Sequence, residues 1–172
     1  VQVSMILCNE KLEQINIFDF IIKSDGFDIN NAQHFHGITN EISATKGVPF
    51  IYVANIISNL LQQVSHVIAH NSDFDLCLLK SELYRYNMHS IIAQLETKHI
   101  FCSMKQTKMI VNVRNSYGIK YPKLAELYYF VFKKEIENAH NSKFDVMNLH
   151  SAIKKLFDRN ILHFREDLIF LA

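Results

Sequence analysis

Residues 64–79 read Val64-Ser65-His66-Val67-Ile68-Ala69-His70-Asn71-Ser72-Asp73-Phe74-Asp75-Leu76-Cys77-Leu78-Leu79. The first six have the look of a short buried strand, and from about Asp73 to Asn87 the pattern is helical. A strand that runs through a polar turn into a helix is the building unit of α/β sheets. Upstream, Val1 to Cys8 and residues 15–23 are β-prone runs joined by the polar turn Asn9-Glu10-Lys11, which predicts an antiparallel hairpin. Ser24-Asp25-Gly26 then breaks the pattern, and 27–47 is polar, irregular and rich in Asn and His. From Pro49 the period changes: Val53, Ile56, Ile57, Leu60, Leu61 and Val64 share one helical face. Downstream, 97–102 reads as a strand, 103–112 as a helix, Tyr121-Pro122 as a turn, Lys123–Phe132 as an apolar helix and 143–157 as the last long helix. Leu162 to Ala172 fits either a strand or a docked helix. Strands first, then strand and helix in alternation, give a single α/β domain over 1–172 with a mixed sheet.

Six residues of that opening stretch return with one change. His70-Asn71-Ser72-Asp73-Phe74-Asp75 is matched by His140-Asn141-Ser142-Lys143-Phe144-Asp145, each copy after an alanine and each at the mouth of a helix. Helix capping is the bland explanation, since Ser72/Asp75 and Ser142/Asp145 both fit Ser-x-x-Asp and an acid suits the first turn. An internal repeat is not supported. The run before the first copy is apolar, whereas Lys133-Lys134-Glu135-Ile136-Glu137-Asn138-Ala139 is polar, so the two copies are expected in different settings.

The bulk numbers exclude several classes. With 49% hydrophobic and 20% charged residues the chain is globular. Four glycines and two prolines leave little room for linkers. A formal charge of +1 gives no general affinity for nucleic acid, although a local basic groove is compatible with it. Cys8, Cys77 and Cys102 are odd in number and lack metal spacing, so they read as reduced thiols of an intracellular protein. No apolar run suits a membrane span and no signal peptide opens the chain, which predicts a soluble protein with no membrane partner.

Two first-turn aspartates, Asp75 and Asp145, would need a partner if the fold brings them together. A hard divalent cation with oxygen ligands, Mg²⁺ or Mn²⁺, is the usual one, completed by water and phosphate oxygens as in two-metal phosphodiester hydrolysis. His140 lies five residues before one such ligand and is placed to take a proton from the attacking water. His70 either supports the site or hydrogen-bonds within the core. Zinc clusters, a glycine-rich phosphate loop and a Gly-x-Ser-x-Gly elbow are all missing.

At this point the residues resemble a family. Ala69 to Asp75, followed by Leu78-Leu79 and Glu82-Leu83, is similar to the second motif of DnaQ-like exonucleases, in the ribonuclease-H-like superfamily. His140-x4-Asp145 with Ala152 resembles the third motif, in the subclass whose general base is histidine. Phe35-His36-Gly37-Ile38-Thr39 resembles the segment lining the terminal nucleotide's pocket. Cys102-Ser103-Met104-Lys105 and Tyr121-Pro122-Lys123-Leu124-Ala125-Glu126-Leu127 are similar to two further family segments, and order and spacing fit over 1 to about 157, leaving 158–172 as a C-terminal extension. The resemblance implies a ribonuclease-H-like sheet and 3′–5′ removal of nucleotides from single-stranded DNA or RNA with two Mg²⁺ or Mn²⁺ ions. It implies Asp75 and Asp145 as metal ligands and His140 as general base. Ile38, His36, His70 and Phe74 would lie at the substrate, and a DNA polymerase is an optional partner.

One departure is large. The family carries Asp-x-Glu on its first strand, and no Asp-x-Glu precedes His36 here; Val1–Cys8 lines up with the second strand, and Glu10 lies in the hairpin turn. The expected sheet therefore lacks the family's central strand, which leaves two edges unpaired. A fragment beginning just after that motif, in keeping with a first residue that is valine, is the simplest account. A degenerate chain or a substitute strand from elsewhere is the other. Two function classes follow: a truncated exonuclease with little activity as it stands, or a catalytically dead ribonuclease-H-like module that binds nucleic acid or protein. The other histidines, His34, His66, His89, His99, His150 and His163, read as surface or core residues.

Overall fold

The computed structural model describes residues 2–26, 29, 37–136, 141–163 and 168–171, the last four as backbone. The predicted hairpin is present: β1 (Gln2–Cys8) and β2 (Gln14–Ile21) pair antiparallel with Gln2 opposite Ile21 and Ile6 opposite Ile17. Asn9 shapes the turn, its side-chain oxygen accepting from the amides of Lys11 and Glu13 at 3.0 and 2.9 Å. β1 is buried on both faces, with Met5 on one side and Ile6 on the other, as the two-residue period of a strand requires.

Strands β3 (His66–Ala69) and β4 (His99–Cys102) pair in parallel, His66 opposite His99 and Ala69 opposite Cys102. Between β1 and β3 lies β7 (Leu168–Leu171), antiparallel to β1 through Met5–Leu171 and Leu7–Ile169, and parallel to β3 through His66–Leu168 and Ile68–Phe170. The sheet order is β2-β1-β7-β3-β4. The mixed sheet is the one expected, but the slot that the sequence reading left open is filled from the C-terminal end. Val67 and Ile68 are fully buried, so unpaired backbone groups in that gap would be costly. Leu168-Ile169-Phe170-Leu171 is an apolar β-prone run able to pair with both neighbours. The uncertain end of the chain is therefore a strand.

Helices cover both faces. On one, α2 (Phe50–Leu61) and α4 (His89–Glu96) pack with α3 (Ser72–Arg85) around Met5, Val53, Ile57, Val67, Leu83 and Leu95. On the other, α7 (Leu124–Phe132) and α8 (Ser142–Asp158) close over Ile6, Ile68, Leu127, Leu149 and Ile153. Burying each such side chain is worth about 1.5–3 kcal/mol before conformational entropy is charged. Among the described residues no helix is long and apolar enough to cross a membrane.

Four features depart from the sequence reading. The polar stretch 27–47 contains α1 (Asn40–Lys46), capped by Thr39, whose side chain accepts from the Ile42 amide at 3.0 Å. Helix α4, 8 residues long, spans little more than two turns, too short to show a helical period. The helix expected over 103–112 is broken into α5 (Ser103–Gln106) and α6 (Lys108–Val111) at Thr107, whose buried hydroxyl bonds back to the Ser103 carbonyl at 2.7 Å. A two-stranded ribbon then follows, β5 (Arg114–Asn115) and β6 (Gly118–Ile119).

Candidate active site

Strands β3, β4 and β7 run parallel, so all three end at one edge of the sheet, the place where open α/β sheets hold their ligands. Helix α3 starts there. Asn71 adopts the left-handed conformation (φ 69°, ψ 49°) and turns the chain sharply from β3 into the helix, which sets Asp75 in its first turn. Helix α8 starts differently. Asn141 is extended (φ −103°, ψ 119°) and its side-chain oxygen accepts from the amides of Lys143 and Phe144. Further along α8, His150 bonds the Leu12 carbonyl at 2.8 Å and Lys154 reaches Lys11, both in the β1–β2 turn at the far edge. The start of α8, with Asp145, therefore points toward the same edge as Asp75. The two related sextets do occupy different settings, but the asparagines take the cap positions; Ser72 and Ser142 are the first helical residues, which corrects the serine-cap reading.

Asp75 lines a cleft of about 360 Å³ together with Val3, Ile22, Phe50, Ile57, Leu76 and Leu79. Burial among these apolar groups raises its pKa to about 6, against the opposing pull of its own amide. Among the described residues no cation pairs with it. A desolvated carboxylate without a counter-charge is costly as an anion and is the natural ligand of a hard cation. Mg²⁺ and Mn²⁺ take one or two carboxylates and fill the rest of their shell with water and phosphate oxygens, a demand that a carboxylate such as Asp75 can meet in part. Among the described residues no three His, Cys, Asp or Glu side chains come together to hold a metal.

His70 has both ring nitrogens engaged by protein. Nε2 lies 3.0 Å from the Pro122 carbonyl oxygen and Nδ1 lies 3.0 Å from the Ser103 hydroxyl. A carbonyl only accepts, so Nε2 carries the proton. Burial holds the imidazole below its ordinary pKa, and the Ser103 hydroxyl beside Nδ1 also lies 3.1 Å from the Ala69 carbonyl oxygen, to which it donates. His70 thus ties the end of β3 to the start of α5 and to the turn before α7. Both of these contacts are hydrogen bonds within the protein.

Cys102 plays a similar part. Burial pushes its thiol up, but the Lys105 amide, the Ser72 hydroxyl and the amides of Ser72 and Asn71 outweigh it and hold the pKa below the ordinary value. These groups sit at the start of α3, where the Asn71 side chain makes no capping bond. Neither set of contacts was legible from sequence, because His70 meets Ser103 and Pro122, 33 and 52 positions away, and Cys102 meets Ser72 only when β3 and β4 pair. Phe74 is 60% exposed, open to a ligand, whereas Ile38 is buried just ahead of α1. Ser43 of α1 fastens that segment to the end of β2, accepting from the Ser24 amide at 2.8 Å. His36 and the expected base His140 lie outside the described residues.

A profile of the exonuclease family matches residues 2–151. The chain belongs to the exonuclease family. The match takes in α3, α7 and the start of α8, and with them the fold expected of DnaQ-like, ribonuclease-H-like exonucleases. It ends before β7, so the strand filling the centre of this exonuclease's sheet lies outside the matched region. Comparison with curated proteins gives no match.

Proposed function

We propose that this exonuclease removes nucleotides from the 3′ end of single-stranded nucleic acid, with Asp75 and Asp145 holding a Mg²⁺ or Mn²⁺ ion and His140 as general base. The observation that carries the reading is Asp75: a half-buried carboxylate with no ion pair among the described residues, at the carboxyl ends of the parallel strands, beside an apolar cleft and the exposed ring of Phe74. A bound divalent ion supplies a charge that stabilises the developing negative charge on phosphate. The protein's share is to hold the terminal nucleotide, with Phe74 and Ile38 beside its base or sugar, and to take the proton of the attacking water at His140.

A second reading, a module that binds without cutting, is favoured by one observation. The described residues assemble no group of three metal-binding side chains, fewer than a two-ion centre uses. The two readings separate in one experiment: 5′-labelled single-stranded DNA and RNA oligomers under excess protein, with Mn²⁺ or EDTA. Shortening from the 3′ end in Mn²⁺, lost in Asp75→Ala and Asp145→Ala, supports the exonuclease reading. Slow turnover is expected from so sparse a ligand set. Binding with no shortening in any metal leaves the binding module.

A further inference from the structure

No acidic residue occurs between Glu96 and Glu126. Within that gap, the 19 residues Lys105 to Lys123 carry Lys105, Lys108, Arg114, Lys120 and Lys123. These are five of the chain's 18 basic residues, leaving 13 against all 17 acidic ones elsewhere. The near-neutral total hides a positive lobe on an otherwise acidic molecule, and such a lobe acts through its local field.

This stretch is one structural arm: α5, α6 and the β5–β6 ribbon. Two of its cations are used in fastening it. Lys105 pairs with Asp73 at 2.6 Å, two residues from Asp75, and Lys120 pairs with Glu126 at 2.6 Å. The hydrogen bond from His70 to the Pro122 carbonyl anchors the return of the arm to the same edge. Lys108, Arg114 and Lys123 make no ion pair among the described residues. The ribbon tip presents Tyr117 at 96% exposure, on a turn shaped by its amide bonding to the Asn115 side chain at 2.9 Å. Nearer the root, the half-exposed Tyr121 ring lies 4.6 Å beneath the Lys108 ammonium. Unpaired cations interleaved with exposed aromatic rings match the chemistry of a single nucleic-acid strand, phosphates to the cations and base faces to the rings.

We propose that the Lys105–Lys123 arm is a second contact surface for single-stranded nucleic acid, where Lys108, Arg114 and Lys123 neutralise backbone phosphates and Tyr117 stacks on a base of the strand whose 3′ end lies at the Asp75 edge. This rests on the exonuclease reading for the position of the 3′ end, not for binding itself. The arm grips nucleotides several positions upstream of that end, so it governs affinity for long strands and leaves the terminal nucleotide to the cleft.

The test is fluorescence anisotropy in EDTA with a labelled dinucleotide and a labelled 12-mer, on wild type, Lys108→Ala/Arg114→Ala/Lys123→Ala and Tyr117→Ala. All are exposed or half-exposed positions, and circular dichroism checks that each variant is folded. The triple variant should bind the 12-mer about 10-fold or more weaker, and its plot of log affinity against log salt should flatten by about 2, given a slope of about 0.7 per phosphate contact on single strands. Tyr117→Ala should weaken the 12-mer several-fold without changing that slope. Dinucleotide binding should not change in either. Unaltered 12-mer affinity and slope in both variants, or no 12-mer binding by wild type, overturns the inference. Equal competition by poly-glutamate also overturns it, since the arm would then be a surface for acidic protein. Arm-dependent binding of the 12-mer without shortening in Mn²⁺ keeps the arm and removes the exonuclease reading.

Discussion

At the scale of single residues, Asp75 makes the sharpest prediction. Its folded pKa of about 6 lies above the ordinary carboxylate value, so the native state keeps this proton to higher pH than the unfolded chain does. The contribution to stability is present at low pH and declines as pH rises from about 4 through about 6. Asp75→Asn removes that loss. It should melt roughly 2–6 °C above wild type at pH 7.5 and level with it at pH 4, as followed by circular dichroism. The same substitution should abolish any Mn²⁺-induced rise in melting temperature, which in wild type should appear above pH 6 and fade below it. A carboxylate whose removal stabilises the fold is the mark of a residue kept for chemistry. His70 behaves in the opposite sense. His70→Ala leaves the Pro122 carbonyl without its donor and takes one partner from the Ser103 hydroxyl, which keeps the Ala69 carbonyl, and should cost about 1–3 kcal/mol in urea unfolding.

At the scale of elements, two contacts decide how the edge is built. Gly47, at the end of α1, lies where a Cβ would come within 2.2 Å of the Ser43 carbonyl oxygen and 2.8 Å of the Lys23 Cα. Both neighbours are backbone and neither can swing away. Gly47→Ala should therefore destabilise by about 1–3 kcal/mol and loosen the segment that carries Ile38. Strand β7 is the second. Phe170 pairs with Ile6 on one side and Ile68 on the other. A proline there removes a ladder hydrogen bond from the middle of the sheet, where proline is not tolerated. Phe170→Pro should lower the urea midpoint by the equivalent of about 3 kcal/mol or more, whereas proline at Gln14, on the edge strand β2, should cost far less. Equal effects at the two positions would mean that 168–171 is not the central strand.

At the scale of the whole molecule, β7 joins two strand pairs that share no other ladder, β1–β2 and β3–β4, while each helical layer packs across both pairs. A continuous hydrogen-bond ladder through the sheet depends on that junction. A chain ending at residue 163 should lose it and unfold over a broader range, with the near-ultraviolet signal lost before the far-ultraviolet one. Most of the architecture was legible beforehand, because strand and helix periods depend on neighbours close in sequence: the hairpin, β3, α2, α3, α7 and α8 all follow from spacing. The small pieces were not, since α1, α4 and the β5–β6 ribbon are too short to show a period.

The sequence by itself determined the α/β class, the exonuclease family and the position of Asp75 in a first helical turn, because motif order and hydrophobic spacing are local properties of the chain. Only the tertiary structure decided what fills the centre of the sheet, since strand pairing joins residues 5–7 to 169–171 and no pattern within either run names its partner. It also decided what the two ring nitrogens of His70 bond. A histidine bonded to a serine 33 positions away and to a carbonyl 52 positions away has its role set by distance in space, which spacing along the chain does not encode.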